Sequence, residues 1–168
     1  QKLSCDYINL GFSGSGRGED AIVEYMKTLD MYAFVCDFDH NARTIADLER
    51  THLRMYQGIR KAHPDVPYIM ISKVDFDQAY GDTVVDNTPP DTYHSSVTRR
   101  NVIMDTYRYA RAQGDRNVYF IDGESVFRGY SDMTTVDTVH PGDLGFMLMA
   151  KAVTETLKRA ITQKYVSE

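Results

Sequence analysis

The sequence predicts a three-layer α/β/α domain built on a mostly parallel sheet. Short apolar runs alternate with amphipathic helical stretches from one end of the chain to the other. The runs are apolar at successive positions rather than at every second one, as expected of strands covered on both faces. Polar loops carrying glycine or proline separate the elements, with no repeat, low-complexity stretch or linker, so residues 1–168 read as a single domain.

Taken in order, "CDYINLG" at 5–11 predicts a short buried strand ending at glycine. Residues 19–28 predict a short helix, with Glu19 and Asp20 suited to its positive end. "MYAFVCDF" at 31–38 is a second strand. Thr44 and Asp47 form a capping-box pattern ahead of a helix in which Ile45, Leu48, His52, Met55, Tyr56 and Ile59 recur at helical spacing, with Pro64 as its stop. "VPYIMIS" at 66–72 is a third strand. Residues 74–94 form a long loop with two prolines, a candidate lid or substrate wall. A helix over 96–113 follows, with Arg99 and Arg100 expected on its solvated face. "NVYFID" at 117–122 is a fourth strand. A last helix over 142–163 would place Phe146, Met149, Ala150, Val153, Leu157, Ala160 and Ile161 on one face. Cys5 and Cys36 both fall inside apolar runs, which predicts two buried free thiols and leans towards a reducing, cytoplasmic setting; secretion stays open if an upstream signal was removed.

In open α/β sheets ligands bind at the carboxyl ends of the strands, so chemistry is sought in the loops that follow them. The first such loop, "NLGFSGSGRGED", has four glycines within eight positions. Those glycines suit either a tight turn or a close approach by an anion. The spacing is neither a Walker A loop nor G-x-G-x-x-G, so the phosphate signal is weak. The second loop, "DFDHNA", offers Asn41, whose amide suits a developing oxyanion or, equally, a turn before the helix. It also holds Asp37, Asp39 and His40, a poor metal set because strand alternation points His40 away from the two carboxylates. The last loop, "DTVHPGDLGF", holds Asp137 three residues before His140. A carboxylate so placed can take the Nδ1 proton and leave Nε2 as a base, though the same spacing also describes a capped turn with a surface histidine.

Together "NLGFSGSG", "DFDHNA", "NVYFIDGES" and "DTVHPGDLGF" resemble successive blocks of the SGNH (GDSL-like) hydrolases, in particular a bacterial branch of acylhydrolases and carbohydrate esterases. The resemblance spans nearly the whole chain and keeps the block order. It implies a flavodoxin-like sheet and a Ser-His-Asp esterase site, with Gly14 and Asn41 in the oxyanion hole, His140 as general base and Asp137 orienting it. One block is missing. The nucleophilic serine of the family sits in a Gly-Asp-Ser-like block after its first strand, and no Gly-Asp-Ser occurs here. Ser13 and Ser15 occupy the glycine block without a G-x-S-x-G elbow, so no nucleophile is assigned. The resemblance implies that strand one and its serine lie outside this chain. In a 2-1-3-4-5 order that leaves a gap between the first two strands visible here.

The net charge of −5 and pI near 5.5 argue against nucleic acid or an anionic membrane as partner, and no apolar run is long enough to span a bilayer. The expected partner is a small ester with no cofactor or metal; the 12 tyrosines lend weak support to an acylated carbohydrate. The competing reading is a non-catalytic module that holds a phosphorylated small molecule on the glycine loop.

Overall fold

A computed structural model of the chain describes residues 3–74, 96–130, 133–137 and 139–166, with side chains as far as 162. The loop expected over 74–94 lies outside the described residues apart from Val74. The elements are α1 (Asp20–Lys27), β1 (Phe34–Cys36), a 3-10 turn (Asp39–Asn41), α2 (Ile45–Ala62), β2 (Tyr68–Ile71), α3 (Ser96–Ala112), β3 (Val118–Ile121), α4 (Gly123–Val126) and α5 (Asp143–Val166). The three strands form one parallel sheet in the order β1-β2-β3, with Phe34 opposite Tyr68 and Tyr68 opposite Val118.

Strand alternation divides the interior in two. Tyr68, Met70, Cys36 and Val118 point to the side covered by α1, α2 and α3, where they meet Val23, Met26, Leu48, Met55, Ile59, Val102 and Ile103. Ile69, Ile71 and Ile121 point to the other side and meet Leu148, Met149, Ala152, Val153 and Leu157 of α5. Helices on both faces of a parallel sheet make the three-layer α/β architecture that the sequence predicts. All four residues of β2 are buried, and full burial of one such side chain is worth about 2 kcal/mol.

The predicted stripe of α2 holds throughout: Ile45, Leu48, His52, Met55, Tyr56 and Ile59 are all buried, joined by Thr51. The Thr44 hydroxyl accepts the Asp47 backbone N–H at 3.1 Å and donates to the Asp47 carboxylate, so one free N–H of the first turn is satisfied.

Three expectations change. Residues 5–11 form no strand; Tyr7 and Ile8 are 82% and 62% exposed, and Cys5 is an exposed rather than a buried thiol. The free edge of β1 fits this: among the described residues no strand pairs outside β1, and residues 5–11 make no ladder with it. Val35, on the α5 side of β1, is 41% exposed; the described side chains of α5 pack on β2 and β3. On α5 the buried stripe is rotated towards Leu148 and Ala152, leaving Phe146 and Ala150 exposed. Arg99, expected in solvent, is fully buried, and Arg100 is half-buried in an ion pair with Asp122 at 2.5 Å. Among the described residues no helix is long and apolar enough to cross a membrane.

Candidate active site

Asp137 and His140 sit on a closed loop just before α5. The Gly142 N–H donates to the Thr134 carbonyl (2.8 Å) and the Val136 N–H to the His140 carbonyl (2.9 Å), with an antiparallel bridge between Thr135 and Pro141. Inside this loop one oxygen of Asp137 accepts the backbone N–H groups of His140 (2.7 Å) and Val139 (3.1 Å). The other lies 2.6 Å from Nδ1 of His140. The His140 N–H first, then its imidazole and the Val139 N–H, hold the Asp137 carboxyl down at about 2. Asp137 is therefore anionic at any working pH and fixes the imidazole proton on Nδ1. With the His140 side chain 75% exposed, Nε2 is the nitrogen left for a substrate.

The loop is seated on α5 through a glycine. A methyl group on Gly145 would lie 2.3 Å from the Thr134 carbonyl oxygen and 3.1 Å from the Phe127 ring, so only glycine lets the loop backbone rest on the first turn of the helix.

The glycine loop and the 3-10 turn form a second cluster. Ser13 and Gly14 both have positive φ (39° and 79°), and the Ser15 N–H closes the turn on the Phe12 carbonyl at 2.8 Å. The Gly14 carbonyl accepts from the Arg17 guanidinium at 3.1 Å. Two residues further on the loop meets Asn41: a Cβ on Gly16 would stand 3.7 Å from Asn41 Nδ2. The half-buried Asn41 amide is thus backed by the glycine loop, at the carboxyl end of β1.

Beneath Asn41 lies a buried polar frame. Asp39 is fully buried and its carboxylate accepts the Lys73 backbone N–H at 2.8 Å, where the chain leaves β2. Lys73 Nζ reaches the Ser96 hydroxyl at 2.9 Å, at the start of α3. Arg99, one turn along that helix, donates to the carbonyls of Asp39 and Ala42. Behind the turn, Phe38 stacks on the His52 ring, and burial pushes the His52 pKa down to about 3. Among the described residues no group of three His, Cys, Asp or Glu side chains is arranged to hold a metal ion.

The predicted site residues therefore fall into two groups: Asp137 with His140, and Asn41 with the loop that carries Gly14. Among the described residues no hydrogen bond joins one group to the other. Sequence reasoning missed Gly16, Gly145 and Arg99. Gly16 belongs to the visible glycine run, but which glycine faces Asn41 depends on the turn at Ser13 and Gly14. Gly145 lies inside the DTVHPGDLGF block, but its close approach to Thr134 and Phe127 shows only in the fold; Arg99 carries no local signal, because its carbonyl partners are 57 and 60 residues away.

The family profile described as the GDSL-like lipase/acylhydrolase family matches residues 1–158. The chain belongs to that family. Among solved structures it is similar to a protein described as a GDSL-like lipase from Bacteroides ovatus, with a TM-score of 0.75 and 25% identity over 92% of this chain. It is also similar in fold to the salicylyl-acyltransferase SsfX3 of a tetracycline biosynthetic pathway, with a TM-score of 0.64 and 18% identity over 85% of the chain. It spans less than half of each neighbour, 43% and 42%. A search of curated protein sequences returned no match.

Proposed function

We propose that this GDSL-like chain supplies the general base and part of the oxyanion hole of a serine esterase acting on a small ester, with an acylated carbohydrate as one candidate substrate. The observation that carries the reading is the 2.6 Å contact between Asp137 and Nδ1 of an exposed His140. The serine that completes the triad lies, in this reading, outside the 168 residues. The open edge of β1 supports this, since a strand added there would end beside the 3-10 turn that carries Asn41.

In the reaction His140 Nε2 takes the serine proton as the serine oxygen attacks the acyl carbon. The negative charge that develops on the carbonyl oxygen is met by the Asn41 amide and the Gly14 N–H. The tetrahedral adduct collapses, and His140 hands the same proton to the departing alkoxide. Water then repeats the sequence on the acyl-serine and releases the acid. Asp137 stays ionised throughout and stabilises the imidazolium; it accepts no proton.

The test is hydrolysis of a short-chain nitrophenyl ester by the full-length polypeptide that contains this sequence. Asn41→Ala should lower kcat about a hundredfold or more with little change in KM, as for loss of one oxyanion donor. Near-normal turnover would remove Asn41 from the oxyanion hole. No hydrolysis by the unsubstituted protein, together with thermal stabilisation by inorganic phosphate, would favour the phosphate-binding module instead.

A further inference from the structure

Asn41 ends a 3-10 turn of three residues, closed by the Asn41 N–H on the Phe38 carbonyl at 2.9 Å and by the Ala42 N–H on the Asp39 carbonyl at 3.3 Å. Such a turn has weak internal hydrogen bonds and many ways to relax. An oxyanion donor, by contrast, must be held within about half an ångström of its working position. Something outside the turn has to fix it.

Arg99 is placed to do so. It is the largest of the fully buried side chains, at 0% exposure. One arm of its guanidinium donates to the Asp39 carbonyl and the other to the Ala42 carbonyl at 2.9 Å, 60 and 57 positions back along the chain. These two carbonyls lie on either side of Asn41, two residues before and one after. A planar fork bound at both points fixes the peptide planes between them, and with them the direction in which Asn41 leaves the backbone. The fork is itself anchored. Three residues earlier in α3, Ser96 is tied to Lys73, whose N–H is held by the Asp39 carboxylate. A buried guanidinium is costly to desolvate and is ordinarily matched to a demanding geometry.

We propose that Arg99 is the positioning residue for the Asn41 amide and acts on ester hydrolysis through it. The proposal rests on the esterase reading above and adds to it a residue that touches neither substrate nor the reacting atoms.

The test is a double-mutant cycle in the full-length polypeptide, assayed with the same nitrophenyl ester, with thermal melts to show that each variant is folded. Lysine cannot span two carbonyls with one rigid fork. Arg99→Lys should therefore lower kcat about tenfold while KM stays within about twofold. In an Asn41→Ala background the same substitution should change kcat by less than about twofold, because the group it positions is gone. A loss of equal size with and without Asn41 would overturn the proposal and leave the esterase reading intact. If Asn41→Ala alone changes nothing, the Asn41 reading fails and the role of Arg99 falls with it. Should Arg99→Lys fail to fold, NMR on the unsubstituted protein decides. Slowly exchanging Arg99 Nη protons, with hydrogen-bond couplings to the Asp39 and Ala42 carbonyl carbons, sustain the proposal; a freely exchanging guanidinium overturns it.

Discussion

The two halves of the candidate site are built by opposite means. The Asp137–His140 pair is made within one short loop: three contacts from a single carboxylate, all to residues two or three positions away, on a surface open to water. The Asn41 turn is made by the rest of the molecule. Its fixed points come from Lys73 at the end of β2 and Arg99 in α3, both buried, at separations of 34 to 60 residues. Under the proposed mechanism, the difference teaches that a proton-transfer pair tolerates an exposed, self-made scaffold. A hydrogen-bond donor aimed at a transient charge needs a rigid interior behind it, because its benefit depends on not having to reorganise.

The sharpest way to break this contrast is to delete each half and compare activity with stability. His140→Ala should reduce kcat about ten-thousandfold or more in a nitrophenyl ester assay, while the melting temperature moves by only about 1 °C, since the ring is exposed and its loop bonds are backbone and carboxylate. Arg99→Met should do the reverse in kind: denaturant titration should show a loss of about 3 kcal/mol, because the buried Ala42 carbonyl loses its Arg99 donor and the Asp39 carbonyl keeps only the long Ala42 N–H contact. An Arg99→Met variant as stable as the parent would mean that the turn holds itself together, and the contrast would vanish.

Acid should separate the halves too. Burial lowers the His52 pKa to about 3, below its usual value near 6.5. Between those values the unfolded chain binds a proton that the native fold refuses, so stability falls as pH drops through that window and is unaffected by His52 above it. The slope from this one group is at most about 1.4 kcal/mol per pH unit, measurable as melting temperature against pH, and His52→Gln should flatten it. Asp137, held at about 2, stays charged across the same window, so an NMR titration of its carboxyl should show no midpoint above pH 3. The smallest effect is expected at the helix that follows the turn. Thr44→Ala removes the cap of α2 and should cost about 1 kcal/mol, or about 3 °C in the melt.

Legibility in the sequence followed the range of the interactions. The core face of α2 could be read residue by residue, because a 3.6-residue period with a cap and a proline stop is local information. The Asp137–His140 contact was readable for the same reason: three residues of spacing and a following Pro-Gly turn suffice to bring the two side chains together. The failures were non-local. Residues 5–11 have the composition of a strand, yet a strand exists only where a neighbour accepts its hydrogen bonds, and the free edge of β1 is not filled by them. Arg99 has the composition of a surface position, and nothing near it in the chain announces that two carbonyls await it.

The sequence by itself determined the α/β class, the order of the strands and long helices from Asp20 onward, the buried stripe of α2, and a histidine paired with its own carboxylate, because each depends on residues a few positions apart. Tertiary structure alone decided which glycine backs Asn41, that an arginine lies under it, and that among the described residues no strand covers the outer edge of β1. Those outcomes depend on where segments tens of residues apart come to rest, and on the rule that a buried polar group must find its partner wherever the fold provides one.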